Sequence, residues 1–413
     1  MNVVIVNDFA HVNGGVAQVA LSSAAALAER GHRVVLLTAV RGPGPPPETE
    51  RLTVVSTDQQ EIAADANRLR AATQGLWNVK AQRAMRSLLD GCDPADTIIH
   101  LHGWTKALSS SVIRECVLRE FPVVATLHEY FSACPNGGFF NYQTLKSCAL
   151  VPLSAACICT HCDSRSYPQK LWRVARQLVQ HSAAGFPEDA RHFITVSRFS
   201  EAILKAYLGP DAVVHPIRNP IDVPRDHPAA VEDNRGFTYV GRLSPEKGGL
   251  LMARSAAFLD VAATFVGDGP MREQIAAANP AALMLGWLDR HEVLAQLRRA
   301  RALVLPSLWY ETQGLVVSEA AALGVPAIVP RDCAARECVI DGVTGLWFES
   351  GSEADLREKM AILHRQPRLA ARMGAAAFER YWSDPPTLDR HVDELESVYR
   401  SVIAESARQD QHA

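Results

Sequence analysis

Short apolar runs alternate with longer stretches of helical spacing along almost the whole chain. Val3 to Val6 is strand-like and ends at the polar pair Asn7-Asp8. After the loop Asn13-Gly14-Gly15, apolar Val16, Val19, Ala20, Ala24 and Leu27 recur at helical spacing up to Gly31, and Arg33 to Thr38 is strand-like again. The pattern predicts a βαβ unit. Thr97 to Leu101, Val123 to Leu127 and Phe193 to Val196 are further strand candidates separated by helical composition, an alternation that favours a parallel sheet. Arg41-Gly-Pro-Gly-Pro-Pro-Pro47 has the composition of a surface loop.

The alternation breaks near 216–235, where Pro216, Pro220, Pro224, Pro228 and the polar run Glu232-Asp-Asn-Arg235 mark a domain boundary. A second series follows, with strand candidates at Phe237 to Val240, Ala263 to Val266, Leu283 to Leu285, Ala302 to Leu305 and Ala327 to Val329. The expected organisation is therefore α/β: one parallel-sheet domain over 1–215, a second over 216–384, and a helix over 385–413 that crosses back to the first. A ligand site is expected in the crevice between two such domains.

The 413 residues, 48% hydrophobic and 21% charged, hold enough apolar material for two cores and exclude wholesale disorder. A formal charge of −3 argues against a nucleic-acid partner. The N-terminal apolar run is too short for a signal peptide, and no stretch is long and apolar enough to span a bilayer, so a cytoplasmic location is expected.

Two constellations carry chemistry. In Pro306-Ser-Leu-Trp-Tyr-Glu311-Thr-Gln-Gly314-Leu315-Val-Val-Ser-Glu319, a helix capped by Thr312 and starting at Gln313 and Gly314 would offer free N–H groups to an anion. Glu311 and Glu319 lie eight residues apart, at most about 12 Å if the helix ran throughout. Such carboxylates suit the paired hydroxyls of a sugar and a ribose. In Val240-Gly-Arg242-Leu-Ser-Pro-Glu-Lys247-Gly248, two cations at the end of a strand stand where a diphosphate would sit and would neutralise it as a leaving group without a metal. Gly14-Gly15 at the end of the first strand is a weaker, third phosphate-type loop.

These residues resemble the retaining glycosyltransferases of family 4, in the group with the GT-B fold of two Rossmann-like domains facing across a cleft. The likeness runs through Gly14-Gly15, Thr126-Leu-His128-Glu129, Ser197, Asn219-Pro-Ile-Asp222, Gly241-Arg242 to Lys247-Gly248, Gly267-Asp-Gly-Pro270, Glu311 to Glu319, Gly324-Val-Pro326 and Asp341 to Gly345. It departs at Thr312, Gln313 and Pro220. The resemblance implies transfer of a sugar from a UDP- or GDP-linked donor to a glycan, a lipid-linked or a small-molecule acceptor, with retention of configuration and no required metal. By similarity Arg242 and Lys247 hold the diphosphate with Gly14, Gly15, Gly314 and Leu315. Glu319 holds the ribose, Glu311 the donor sugar, and His128 lies near that sugar. Glu311 is also the one candidate for a carboxylate nucleophile, with a binding role favoured.

The nine cysteines are not a secreted disulfide framework. Cys134, Cys148, Cys157, Cys159 and Cys162 crowd into the insertion at about 134–162, a spacing compatible with a structural zinc, an iron–sulfur cluster or plain buried thiols. Arg165, Lys170, Arg173 and Arg176 interleave with Leu171, Trp172, Val174, Leu178 and Val179, as in a basic amphipathic helix that rests on anionic lipid or shows solvent a charged face. Other functions on this scaffold are a nucleotide-sugar epimerase or hydrolase, which turns over without an acceptor, and a zinc-stapled interaction module. A dinucleotide oxidoreductase needs a Gly-x-Gly-x-x-Gly turn that Asn13-Gly14-Gly15 does not supply.

Overall fold

The computed structural model describes residues 1–44, 46 and 48–410, with side chains through 408. Pro45 and Pro47 of the expected surface loop, and residues 411–413 of the expected last helix, lie outside the described residues.

The chain divides into two compact units: Met1–Gly138 with Leu150–Pro220 and Pro386–Ala413, and Phe139–Ala149 with Ile221–Pro385. The first unit holds strands β1 (Asn2–Val6), β2 (Arg33–Thr38), β3 (Leu52–Ser56), β4 (Thr97–Leu101) and β5 (Val123–Leu127). A small antiparallel hairpin, β6 (Phe140–Asn141) and β7 (Lys146–Ser147), belongs to the second unit, after which β8 (His192–Thr195) and β9 (Val213–Pro216) complete the first. Seven of these strands make one sheet in the order β3-β2-β1-β4-β5-β8-β9, all parallel.

The second unit repeats the plan with β10 (Phe237–Val240), β11 (Ala263–Val266), β12 (Leu283–Gly286), β13 (Ala302–Val304), β14 (Ala327–Pro330) and β15 (Gly345–Phe348). Their order is β12-β11-β10-β13-β14-β15, again all parallel. The central strands β4 and β5 are buried along their whole length and β1 from Val3 onward, as parallel strands covered on both faces must be, which is why runs such as Val3–Val6 are continuous rather than alternating.

Each unit has its own core. Phe237, Phe265, Met252, Val317 and Phe348 anchor the second. In the first, Val3, Ile5, Ala24 and Leu27 pack with Val392, Leu395, Tyr399 and Val402 of the last helix, Leu388–Asp410. That helix lies on the helix Gly15–Glu29 and is fixed at its edges by Arg30 with Asp393 and by His32 with Glu396 at 2.9 Å. The boundary falls at Pro220–Ile221, and residues 139–149 of the insertion pack with the second unit rather than the first.

Candidate active site

In a parallel sheet all strands end on the same edge, and in the second unit that edge gathers the charged residues. β10 and its parallel neighbour β13 are each followed by a loop, and the Leu308 N–H tied to Glu246 O at 2.8 Å joins the two loops. Pro245–Lys247 forms one 3-10 turn closed by Gly248, whose φ is +67°. A Cβ there would stand 2.0 Å from the Pro306 carbonyl oxygen, so only glycine lets the two loops approach.

That approach brings Lys247 to Glu311. The ammonium donates to Oε1 at 2.6 Å and lies 4.8 Å from the centre of the Trp309 ring, and the Ser307 hydroxyl donates to the same Oε1 at 2.7 Å. Burial by itself would raise the Glu311 carboxyl, but the charge and hydrogen bond of Lys247, with that of Ser307, outweigh it and hold the acid below its ordinary range. Arg242 is exposed and has no ion pair among the described residues, while its backbone carbonyl is pinned by the Tyr239 hydroxyl at 2.7 Å. One cation is thus held internally and a second stands open to a ligand anion.

Two expectations about this loop are corrected. The helix starts at Leu315, not at Gln313, and its N-cap is Gly314 at φ +81° rather than Thr312. A Cβ on Gly314 would meet the Ala335 Cβ at 2.9 Å, so the turn requires glycine there. Glu311 therefore precedes the helix and only Glu319 rides on it. Glu319 is nearly buried, which raises its carboxyl, and Arg290 at 3.4 Å offsets part of that rise. Arg290 in turn donates to the Asp222 carbonyl oxygen through Nε at 2.9 Å and Nη2 at 2.6 Å.

Gly14, Gly15 and His128 belong to the first unit. Gly14 caps the helix after β1, and Asn13 and Val16 line an open cavity together with His102, Trp104, Lys106 and His128. Asp8 shapes its floor by accepting the N–H groups of Lys106, Ala107 and Leu108 at 2.8–2.9 Å. His128 is not a lone strand-end histidine. Its Nε2 lies 2.9 Å from His102 Nδ1, and His102 Nε2 lies 3.2 Å from His100 Nδ1. Burial holds all three rings well below the ordinary histidine value, His128 at about 3, so all are neutral at pH 7.

Among the described residues no three His, Cys, Asp or Glu side chains form a group that could hold a metal ion. Cys159 is exposed and Cys148 sits beside the β6–β7 hairpin. Cys134, Cys157 and Cys162 instead surround the fully buried Lys170, whose ammonium donates to Cys157 Sγ at 3.5 Å and occupies the place a cation would take.

The basic helix is corrected in the same way. In Tyr167–Ser182 the cations turn inward: Lys170 to the thiols, Arg173 to buried Asp163 at 2.6 Å, and Arg176 over the Phe131 and Trp172 rings. Pro168, Leu171, Ala175, Leu178 and Ser182 are its exposed positions, so the exposed face of Tyr167–Ser182 carries no cation. Among the described residues no helix is long and apolar enough to cross a membrane.

Sequence reasoning missed Ser307, Trp309, Arg290, His100 and His102. The alternation His100-x-His102 on one strand was a readable signal for the last two, since residues two apart share a face. Arg290 had none, because its partners Glu319 and Asp222 are remote in sequence.

Comparison with known proteins agrees with this geometry. The family described as Glycosyltransferase Family 4 matches residues 13–225, and that described as glycosyl transferases group 1 matches 222–380. Glycogen synthase of Mycobacterium tuberculosis is 27% identical over 396 residues, covering 90% of this chain and 88% of that protein. A GDP-mannose-dependent alpha-mannosyltransferase of Corynebacterium glutamicum is 33% identical over 170 residues, 41% of this chain and 40% of its own. Among solved structures, sucrose-phosphate synthase from Thermosynechococcus elongatus superimposes with a TM-score of 0.72 at 18% identity, covering 98% and 99% of the two chains. Anabaena HepE in complex with UDP-glucose gives 0.67 at 16% identity, covering 97% and 100%. These neighbours share the GT-B fold of two Rossmann-like domains.

Proposed function

This chain belongs to glycosyltransferase family 4, and we propose that it moves a hexose from a nucleoside-diphosphate sugar to a glycan or lipid-linked acceptor, with retention of configuration and without a metal. The observation that carries the reading is the pair of cations on the loop after β10, Arg242 open and Lys247 held against Glu311 of the adjoining loop. A leaving diphosphate needs positive charge where the glycosidic bond breaks, and two fixed cations supply it as a metal does elsewhere. Glu319 takes the ribose hydroxyls, its raised carboxyl steadied by Arg290. Glu311, hydrogen-bonded to Lys247 and Ser307, binds a donor-sugar hydroxyl rather than acting as nucleophile, because its charge is already committed to the ammonium.

Retention then follows from attack on the same face that the diphosphate leaves. The departing phosphate oxygen accepts the proton of the acceptor hydroxyl while Arg242 and Lys247 stabilise the charge that develops on it. The first unit, with the cavity beside His128, takes the acceptor. Relatives that use GDP-mannose and a neighbour that binds UDP-glucose support a nucleotide hexose as donor, and a glycogen synthase relative supports polysaccharide synthesis.

The test is turnover of UDP-glucose, GDP-mannose and ADP-glucose with maltooligosaccharide and polyprenyl-phosphate acceptors, with the product anomer read by proton NMR. An α-linked product from an α-donor, formed in the presence of a chelator, supports the proposal. A β-linked product, loss of activity with chelator, or epimerised donor without acceptor contradicts it.

A further inference from the structure

The first unit holds a nucleophilic cluster that sugar transfer does not use. Lys170 is fully buried, which is rare for lysine because an ammonium out of water needs compensating partners. Here those partners are sulfur. Its Nζ donates to Cys157 Sγ at 3.5 Å, and the Cys162 and Cys134 thiols stand close to the same ammonium.

The contact is held from both sides. Cys157 lies in the short helix Ala155–Cys159, where its N–H donates to the Ser154 hydroxyl at 3.2 Å. Lys170 lies in the first turn and a half of Tyr167–Ser182, which Ser166 caps. The Tyr167 hydroxyl donates to the Ile158 carbonyl oxygen at 3.0 Å and ties the second helix to the first. Three bonds along a 14-residue stretch (157 to 170) therefore keep one sulfur against one nitrogen. Cys157 is 7% exposed, so an oxidant the size of water has a way in, while Lys170 lies behind it at 0%.

We propose that Cys157 and Lys170 form a redox-modification site at which hydrogen peroxide joins Sγ to Nζ through one oxygen, an N–O–S bridge. The sulfur attacks a first peroxide as thiolate and becomes a sulfenic acid, and the hydroxide that leaves takes a proton from the ammonium. The nitrogen, now a free amine, attacks a second peroxide and becomes a hydroxylamine as water leaves. The hydroxylamine oxygen then attacks the sulfenic sulfur, the S–OH bond breaks, and a further water departs. Thiolate, ammonium and two peroxides thus become the bridge and three waters. Sulfur and nitrogen give up two electrons each, and the two O–O bonds take them. The bridge staples the helix Ala155–Cys159 to Tyr167–Ser182. The proposal does not depend on the glycosyltransferase reading, since none of these residues belongs to the diphosphate or sugar site.

The test is mass spectrometry of full-length native protein treated with hydrogen peroxide at neutral pH, alkylated and digested with trypsin without reductant. The expected product joins peptide 147–165 to peptide 166–173, with Lys170 uncleaved, at their summed mass plus about 14 Da for one oxygen gained and two hydrogens lost. Fragmentation should place the link between Cys157 and Lys170, and dithiothreitol should remove it. The product should persist in Cys159→Ser, vanish in Cys157→Ser, and be missing from wild type oxidised in urea, where the two residues are no longer held together. Four results overturn the proposal. They are a disulfide among Cys134, Cys157 and Cys162, at a loss of about 2 Da; a sulfinic acid on Cys157 with Lys170 unlinked; a bridge formed equally well in urea; and purified protein whose thiols hold one zinc per chain.

Discussion

Glu311→Gln separates the two roles that the site gives to Glu311 and Lys247. Glutamine keeps the volume and an oxygen for the Ser307 hydroxyl at 2.7 Å, and removes the charge that faces the Lys247 ammonium at 2.6 Å. Glu311 is 7% exposed and the Lys247 side chain 24%, so the pair is partly desolvated, and losing a charge-assisted bond there costs about 1.5–2 kcal/mol. For a domain of this size that is roughly a 3–8 °C fall in Tm. Binding should move the other way, because an ammonium freed from its carboxylate is available to phosphate. Calorimetry should give a Kd for UDP or GDP that is unchanged or tighter, while transfer falls by about 100-fold or more for loss of a group that contacts the sugar. A diphosphate affinity weakened about tenfold or more would refute the reasoning, since it would make Glu311 part of the phosphate site rather than the internal partner of Lys247.

The remaining predictions read other parts of the site. Glu311 and Glu319 should give opposite pH signs. The lowered acid of Glu311 contributes stability present above about pH 4.5 and lost as pH falls, whereas the raised acid of Glu319 costs stability as pH rises through that value. In thermal melts Glu319→Gln should therefore gain on wild type between pH 4 and pH 7 and Glu311→Gln should lose, and parallel curves would be the contrary result. Gly248→Ala, with its Cβ 2.0 Å from the Pro306 oxygen at φ +67°, should lose about 2–4 kcal/mol in urea unfolding and bind nucleotide poorly; a loss under about 1 kcal/mol would show the loops are not so tightly joined. Thiol labelling of native protein should reach exposed Cys159 first, and Cys116 and Cys333, buried and pushed up by burial, only after unfolding. Elemental analysis should find zinc well below one per chain, because Lys170 stands among Cys134, Cys157 and Cys162; stoichiometric zinc would contradict that placement.

Most of the strands legible in the sequence are largely buried, with the edge strand Leu283–Gly286 the exception. Arg33–Thr38, Thr97–Leu101, Val123–Leu127, Phe237–Val240 and Ala263–Val266 coincide with apolar runs. β3, β9 and β15 were not legible, because their short runs mix in Thr, Ser, His, Pro or Gly. Arg242, Lys247, Glu311 and Glu319 were legible because strand–loop–helix spacing confines them to one sheet edge. The contact between Lys247 and Glu311 was not, since it depends on Gly248 letting two loops 60 residues apart (308 − 248) come together. The packing of Lys170 among the cysteines and the inward turn of the basic helix were not legible for one shared reason. Spacing shows which residues are near in sequence, but Lys170 and Arg173 turn towards Cys157 and Asp163 only once the helix has packed.

The central claim is that Arg242 and Lys247 form a diphosphate site, and the most direct test is calorimetry of UDP, GDP and ADP against wild type and an Arg242→Ala, Lys247→Ala double variant. Removal of two charge-assisted contacts at about 1.5–3 kcal/mol each should weaken binding by at least a hundredfold. The account predicts micromolar binding of one diphosphate by wild type and none detectable in the double variant. Equal affinity in both proteins, or no diphosphate bound by wild type, would contradict it.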